Sequence, residues 1–457
     1  MSDAFALSPG DRAQLLAQGI GEAEALRQLN LLAQPPAPVR LLRPCTVGDG
    51  ILRLDAARQG DLEARGAALL GRARTAKFVP ASGAATRLFK ELLAALDGAD
   101  LPQGEAARAL EQHARFAFGP AWQAALGVAD ARAFAMALAR GRWRDALRAL
   151  LQSPGLGYAD LPKAYLPFHT VEGRPRTALE EHWREAAALG LARLHFTLSP
   201  EHLDGYAALR TALGPWLAAE GLPAVGLEHS MQNPATDTLA GDGQGGPFRD
   251  GQGRLVLRPG GHGALIANLQ ALAAGTDVVL LKNIDNIAHP RLWPGQLRWK
   301  RILCGLLEEA CGEAWDRPVR VAGVVANTGE PGGGPFWVDG PRGATQQIVE
   351  SAQMDLADRG QAAAFQAATH FNPVDLACRL TDPRGRPFPL DDYVDPGAVF
   401  VSKKSHLGRP LLALERPGLW NGGMARWRTV FVEVPLETFN PVKTVVDLLK
   451  DAHQEEP

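Results

Sequence analysis

The order of elements predicts an α/β chain organised on a mostly parallel sheet covered on both faces. Three observations carry that expectation. From Ala192 onward, short apolar runs alternate with helical patterns: strands at Ala192 to Leu198, Ala224 to Glu228, Val278 to Leu281 and Val319 to Val325, with helices after Pro200, after Gly261 and around Leu297 to Cys311. Upstream, Phe78 and Val79 break at Pro80 and pass through small residues into the helical spacing of Leu88, Leu92, Leu93 and Leu96. Finally, 457 residues, 46% hydrophobic and 21% charged, suit a globular chain too long for one ordinary core: one large α/β domain with additions, or two to three domains.

In order, residues 1–70 read as a helical segment. Ala13 to Leu32 has helix-forming composition, and Pro35-Pro36-Ala37-Pro38 ends it. Thr46 to Gly50 either lines a site or makes a plain turn. Residues 71–350 read as the α/β core. Within it, Ala107 to Leu151 is rich in Ala, Leu and Arg and nearly free of β-branched residues, which predicts two or three helices as an insertion, about 97–155. Thr177 with Glu180 marks a capping box and a helix start. Residues 351–457 form the remaining part.

The stretch Thr75 to Glu91, TAKFVPASGAATRLFKE, carries the clearest chemistry. The first N–H groups of a helix lack partners and point into the preceding turn, so a phosphate can approach if the side chains there are small. Ala81, Ser82, Gly83, Ala84 and Ala85 meet that condition, and Thr86, Arg87 and Lys90 add a hydroxyl and two cations. The loop is a phosphate cradle or an ordinary small-residue turn. It is not a Walker loop, because the Gly-Lys-Ser/Thr ending is missing.

Other polar residues fall beyond strand ends, where open sheets of this class bind ligands. Lys163, in LPKAYLPFH, is instead a loop lysine just upstream of the Thr177 helix start, either a phosphate contact or an ordinary surface lysine. Asn283 and Asp285 follow four apolar residues, and Asp285 either holds a hard cation through oxygen or closes its strand as an Asx turn. Gln232 opens QNPATDTL, which contains Asp237, and RPGGHG contributes Gly261 and His262 in a second glycine-rich turn. The last third is dense in motifs: GEPGGGPFWV with Glu330 and Gly333, which reads as no regular element; QIVESAQMD with Glu350 and Gln353, which looks like a strand or a strand-to-helix passage; THFNPVD with Asn372 and Asp375; SKKSHLGRPL with Lys404; and PGLWNGGMARW with Asn421. QIVESAQMD apart, these read as long loops walling a binding site.

A formal charge of −2 gives no reason to expect nucleic acid. No signal peptide or apolar stretch of membrane-spanning length appears, so a cytoplasmic location and no membrane partner are expected. Cys45, Cys304, Cys311 and Cys378 lack metal-ligand spacing and read as packing thiols. No Gly-x-Ser-x-Gly elbow or zinc-binding histidine pair supports a hydrolase.

With KFVPASGAATR, PKAYLPFHT, NPATDT, NIDN, GEPGGGPFWV, THFNPVD, LWNGGMA and FNPVKTV in view, the chain resembles an uncharacterised bacterial family defined only as a domain of unknown function. More distantly it is similar to sugar-phosphate nucleotidyltransferases, above all UDP-sugar pyrophosphorylases. ASGAATR and Pro162-Lys163 match that group's small-residue loop and later Pro-Lys, although Ser82 and Ala85 stand where glycines are usual. RPGGHG resembles its turn near base and sugar, and NIDN its metal-carrying segment. The resemblance implies a Rossmann-like α/β/α fold with a mostly parallel central sheet, a helical insertion and added terminal segments.

It also implies transfer of a nucleotide from a nucleoside triphosphate, UTP favoured, to a sugar 1-phosphate with release of pyrophosphate. That chemistry needs positioning and charge neutralisation, not a covalent nucleophile. Arg87, Lys163 and Asp285 are the expected catalytic residues. Residues 81–86 with Lys90, Gln232, Gly261 and His262 are expected on the nucleotide. Asn283, Glu330, Gly333, Glu350, Asn372, Lys404 and Asn421 are expected on the sugar phosphate. Mg2+ is expected on Asp285 and Asp375, with Asp237 in reserve. A glycosyltransferase of the same general fold and a non-catalytic nucleotide or sugar-phosphate binding protein are the alternatives.

Overall fold

The computed structural model describes residues 7–83, 85–312, 315–329, 332–340 and 343–455. Backbone proximity divides the chain into two compact units. The first is Met1–Arg74, Met231–Leu280 and Ile302–Val434; the second is Thr75–Ser230, Leu281–Arg301 and Pro435–Pro457. Stretches 71–350 and 351–457 thus contribute to both.

In the second unit the strands Thr75–Pro80 and Arg193–Leu198 run parallel, with Ala76 opposite Arg193 and Pro80 opposite Thr197; Gly226–Met231 lies beyond them. Both inner strands are almost wholly buried, as a parallel sheet requires. The helix Ala178–Ala188 starts where Thr177 Oγ1 accepts from the Glu180 N–H (3.2 Å). Only half of the expected box forms, because the Glu180 carboxylate is taken by Arg174 and Arg184.

The insertion holds four α-helices, Gly104–Glu111, Gly119–Leu126, Ala131–Ala139 and Trp143–Leu151, rather than two or three. Left-handed glycines at 127 and 141 and the Asp130 cap divide the alanine-rich stretch. These helices share a core around Trp122, Phe134 and Leu147, which also takes Val442, Val445, Leu448 and Leu449 from the end of the chain.

In the first unit the strand Val319–Ala326 runs parallel to Arg428–Glu433 and antiparallel to His370–Arg379. Gly50–Leu52 extends the parallel side. Residues 1–70 are not purely helical: Pro9–Ala17, Glu22–Ala33 and Ala56–Arg72 are helices, but Leu41–Pro44, Thr46–Val47 and Gly50–Leu52 are strands.

The motif-dense last third departs most from expectation. Gly333–Gly340 is a strand of an antiparallel hairpin with Gly343–Glu350, which is the strand expected in QIVESAQMD and passes into a 3₁₀ turn at Ser351–Gln353; His370–Arg379 is a strand of ten residues; Phe400–His406 and Arg409–Glu415 form a second hairpin. The glycines do not break the strand. A Cβ at Gly333 would stand 2.3 Å from the Val349 carbonyl oxygen, and one at Gly334 2.6 Å from that of His370. Glycine is there because neighbouring backbone comes too close for anything larger.

Candidate functional site

Within the second unit the small-residue loop is pinned from several sides. The Ala81 N–H donates to the Thr197 carbonyl (3.1 Å), Ser199 Oγ donates to the Ser82 carbonyl (3.0 Å), and the Ala85 N–H donates to the Leu161 carbonyl (2.8 Å). The last bond ties the loop to the segment bearing Pro162 and Lys163. Ala81 and Ala85 are buried, Ser82 is half-buried, and Gly83, Thr86, Arg87 and Lys90 are exposed. Ala84 lies outside the described residues. One expectation needs correction: a 3₁₀ turn, Ala85–Arg87, follows the loop, and the α-helix begins only at Lys90. Any anion at Ser82 and Gly83 would therefore meet loop N–H groups and not the helix end.

Lys163 and Asp285, far apart in sequence, meet here. Lys163 Nζ donates to Asp285 Oδ2 and to the Val442 carbonyl, each at 2.8 Å, and both side chains are largely buried. This lysine is not an ordinary surface charge. The Asp285 backbone is fixed in turn: its carbonyl accepts from the Val442 N–H (2.9 Å), and the next residue, Asn286, accepts from the Asn440 N–H (2.8 Å).

Beneath both loops lies a buried ionic network. Glu185 takes Lys77, Lys282 (3.2 Å) and Lys300 (2.8 Å), all almost completely inaccessible. Lys77 stands on the strand that leads to the small-residue loop, and Lys282 immediately precedes Asn283, so one carboxylate joins the roots of the two. Burial, opposed by Glu185, lowers the Lys77 ammonium to about 8. Burial alone would raise the Glu185 carboxyl, but the three lysines overcome it and hold the group well below its usual range. Nothing in the sequence marked Glu185, although a lysine inside the buried run TAKFV signals a hidden partner.

The first unit gathers a second set. Gly333 pairs with Glu350, and the Glu350 N–H donates to Gln353 Oε1 (2.9 Å), which also accepts from Asn421 Nδ2 (3.0 Å). His262 Nδ1 accepts from the Leu419 N–H (3.1 Å), and its ring lies 4.7 Å from that of Trp420. The Trp420 carbonyl is held by the buried Arg320 (2.5 Å). Burial lowers the His262 imidazole, opposed by the carboxylates of Glu350 and Glu415. Asn372 Oδ1 and Asn421 Oδ1 are buried and have no hydrogen-bond partner among the described residues. His262, expected on the nucleotide with Gln232, thus stands with residues expected on the sugar phosphate. Gln353, Glu415, Trp420 and Arg320 were not singled out as site residues; Gln353 and Trp420 sit inside motifs that were. Gln232 Nε2 donates to Asp237 Oδ1 (3.4 Å). Lys404 is exposed on its hairpin, and Glu330 lies outside the described residues.

The model of the family described as "Domain of unknown function (DUF4301)" matches residues 8–316 and 308–454. The chain belongs to that family. No curated protein matches it. Among solved structures it is similar to the uridine diphosphate N-acetylglucosamine pyrophosphorylase of Trypanosoma brucei, solved with an inhibitor (15% identity, 97% of this chain and 79% of that one, TM-score 0.54). It is also similar to a UDP-glucose phosphorylase of Trypanosoma brucei (16%, 96% and 77%, 0.51) and to a mutant UDP-glucose pyrophosphorylase of Leishmania major in complex with UDP-glucose (15%, 97% and 79%, 0.50). At these identities the likeness shows the fold: this DUF4301 chain has the α/β, mostly parallel-sheet fold of the UDP-sugar pyrophosphorylases.

Among the described residues no group of three or more His, Cys, Asp or Glu side chains is arranged to hold a metal ion. An all-protein cage is therefore not what these residues make. Asp285, with one oxygen on Lys163 and the other without a hydrogen-bond partner among the described residues, fits the alternative: Mg2+ held by one or two carboxylates and shared with substrate phosphates. Asp375 is buried on the strand His370–Arg379, in the first unit. No helix among the described residues is long and apolar enough to cross a membrane.

Proposed function

We propose that this DUF4301 chain is a nucleotidyltransferase that joins a nucleoside triphosphate, UTP favoured, to a sugar 1-phosphate and releases pyrophosphate. The observation that carries the reading is the Lys163–Asp285 pair, bonded at 2.8 Å and built into the same unit as the small-residue loop, to which the lysine's own segment is hydrogen-bonded. A half-buried lysine held against a single carboxylate is a cation kept in place, and an incoming triphosphate offers it more negative charge than Asp285 does.

In this reading residues 81–86 with Lys90 receive the triphosphate, and Arg87 and Lys163 neutralise charge that grows at the phosphorus under attack. Gln232, Gly261 and His262 serve the base side. Gly333, Glu350, Asn372 and Asn421 serve the sugar, with Asn283, Glu330 and Lys404. Mg2+, when bound, would supply charge neutralisation between Asp285 and the substrate phosphates. The protein's own part is to orient the two substrates in line and exclude competing geometry.

The experiment is a panel of four nucleoside triphosphates against sugar 1-phosphates with divalent cation, read as pyrophosphate release. Release with one pair is the expected outcome. Acceptor-dependent release of nucleoside diphosphate from a nucleotide sugar would instead make the chain a glycosyltransferase, and tight binding without turnover would make it a sensor.

A further inference from the structure

The glycine-rich hairpin of the first unit belongs to a sheet of three strands, in the order Leu41–Pro44, Gly333–Gly340, Gly343–Glu350. Its two edges are finished differently. At Leu41–Pro44 the side chain of Gln361 closes the edge: Oε1 accepts from the Leu41 N–H (2.7 Å) and Nε2 donates to the Leu41 carbonyl (3.1 Å). Gly343–Glu350 is the other edge. Register tells which of its backbone groups face outward. The Pro335 carbonyl accepts from the Cys45 N–H (3.0 Å) and the Asp339 N–H donates to the Arg40 carbonyl (3.1 Å), so this alternate set of the middle strand turns away from Gly343–Glu350. In an antiparallel pair, directly opposite residues either both bond across the ladder or both turn away from it. Ala344 stands opposite Asp339, Gln346 opposite Trp337 and Ile348 opposite Pro335. Their N–H and C=O groups therefore point out of the hairpin, and none has a hydrogen-bond partner among the described residues.

This row of donors and acceptors lies along a cavity of about 910 Å³, lined by all three residues and built wholly within the first unit. Segments around Ala37, Ala398 and Ala425 supply other walls. Two side chains of the lining add an unpartnered donor and an unpartnered acceptor, Trp427 Nε1 and Gln347 Oε1. Sheet edges are ordinarily blunted by lysine, proline or a covering segment. Gly343–Glu350 holds no lysine, arginine or proline, and its one charge, Glu350, is its last residue. Its edge is recessed instead. A recess bars the flat edge of a second folded sheet and admits a single extended chain.

Charge narrows the kind of chain. Arg40, Arg317 and Arg426 line the cavity with Asp339 and Asp395. Arg317 pairs with Asp316, and Arg40 lies 3.9 Å from Asp339. Arg426 gives one bond, to the Asp392 carbonyl (3.2 Å), and has no ion pair among the described residues. Thr429, also on the cavity, accepts through Oγ1 from the fully buried Arg320 (2.9 Å), which likewise has no carboxylate partner among the described residues. Two cations without counter-charge favour a ligand that brings carboxylates.

We propose that this recessed edge is a docking groove for an extended acidic segment of another polypeptide, which adds a fourth strand beside Gly343–Glu350. Main-chain bonds to Ala344, Gln346 and Ile348 supply affinity whatever the sequence, and carboxylates on the segment meet Arg426. The groove stands apart from the nucleotidyltransferase reading and needs neither of its substrates.

The probe is a fluorescein-labelled peptide, TVEVDVT, with two controls: the same peptide N-methylated at two adjacent residues, so that neither of its edges stays intact, and TVKVKVT. Fluorescence anisotropy with the full chain should show saturable binding of TVEVDVT below about 1 mM, and each control should bind about tenfold more weakly. Hydrogen exchange should show that TVEVDVT newly protects the Ala344 and Gln346 amides but not those of Thr345 and Gln347, which already bond within the hairpin. Ala344→Pro removes an outward N–H and no ladder bond, so binding should weaken about fivefold. Arg426→Glu should turn the preference toward TVKVKVT. No binding of TVEVDVT, equal binding of its N-methylated twin, or an unchanged preference in Arg426→Glu overturns the inference. So does a concentration-dependent dimer that Ala344→Pro dissociates, since a second copy would then be the occupant. If Ala344→Pro does not fold, the N-methylated twin and Arg426→Glu, an exposed position, decide.

Discussion

In the second unit the Lys163 ammonium already touches a carboxylate and a carbonyl, whereas in the first unit Asn372 Oδ1 and Asn421 Oδ1 are buried with no donor among the described residues. Both arrangements are poised for a ligand, in opposite senses. A paired cation can trade its partner for phosphate. An unpaired buried oxygen, which costs about 1–3 kcal/mol, is relieved only by something that donates, such as a hydroxyl. Under the proposed function the first arrangement suits the triphosphate and the second the sugar.

The largest expected effect is on stability and comes from acid, because the second unit buries neutral histidines. His169, His182 and His453 are all held well below 6.5 by burial, so below pH 6.5 the unfolded chain binds protons that the folded chain does not, and stability falls as pH falls. Glu181 acts oppositely. With its pKa raised from 4.5 to about 8, it makes stability decline as pH rises across that window. Three imidazoles outweigh one carboxyl below pH 6.5, and Glu181 acts against no imidazole between 6.5 and 8. Above 8 the lowered Lys77 lets stability recover as pH rises. Urea midpoints should peak near pH 6.5. A flat profile from 5 to 7 would mean that these groups are hydrated.

Next comes the ionic network under the two loops. Glu185→Ala leaves three buried lysines without their shared carboxylate, and removing one member of a buried charged set costs about 3–5 kcal/mol. Chemical denaturation measures it. A loss under about 1 kcal/mol would show that water or movement replaces the carboxylate and that Glu185 does not staple the loops.

Much of this was legible in the sequence, for reasons particular residues make plain. The parallel strands were visible because buried strands read as unbroken apolar runs, and Asp285 because polar residues beyond such strands gather on one edge, whereas Lys163 stood out only as a loop lysine upstream of the Thr177 helix start. The strand Gly333–Gly340 was not legible, since a local reading takes glycines as breakers and cannot see that the Val349 and His370 carbonyls demand them. Glu185, Glu181 and His453 escaped for a related reason. Their partners are remote in sequence, and on a helix such as Ala178–Ala188 buried charges look like a solvated face.

Lys163→Ala sharpens the contrast at the paired site. It removes a contact expected to strengthen as charge develops in the transition state, so kcat should fall about 100-fold, roughly 3 kcal/mol. Asp285 is half-buried and keeps access to water, so the fold should survive. Unchanged turnover in a folded variant would assign Lys163 to bracing Val442 alone.

The smallest effect should come from the unpaired oxygens, and it tests the other half of the comparison. Truncating Asn372 removes a buried acceptor that has no donor among the described residues. Stability should therefore hold or rise slightly, since the desolvated carbonyl disappears with no bond lost. In the complex the same truncation removes a bond to a sugar hydroxyl, worth about 1 kcal/mol, so KM for the sugar 1-phosphate should rise about fivefold while KM for the triphosphate stays within about twofold. Asn421→Ala should differ in one respect. It also frees Gln353 Oε1 of its Asn421 donor, so stability should drop by about 1 kcal/mol alongside the same KM pattern. Steady-state kinetics with each substrate varied in turn, together with thermal melts of both variants, separates these terms. A rise confined to the triphosphate KM would move the asparagines to the nucleotide side and overturn the division between the two clusters.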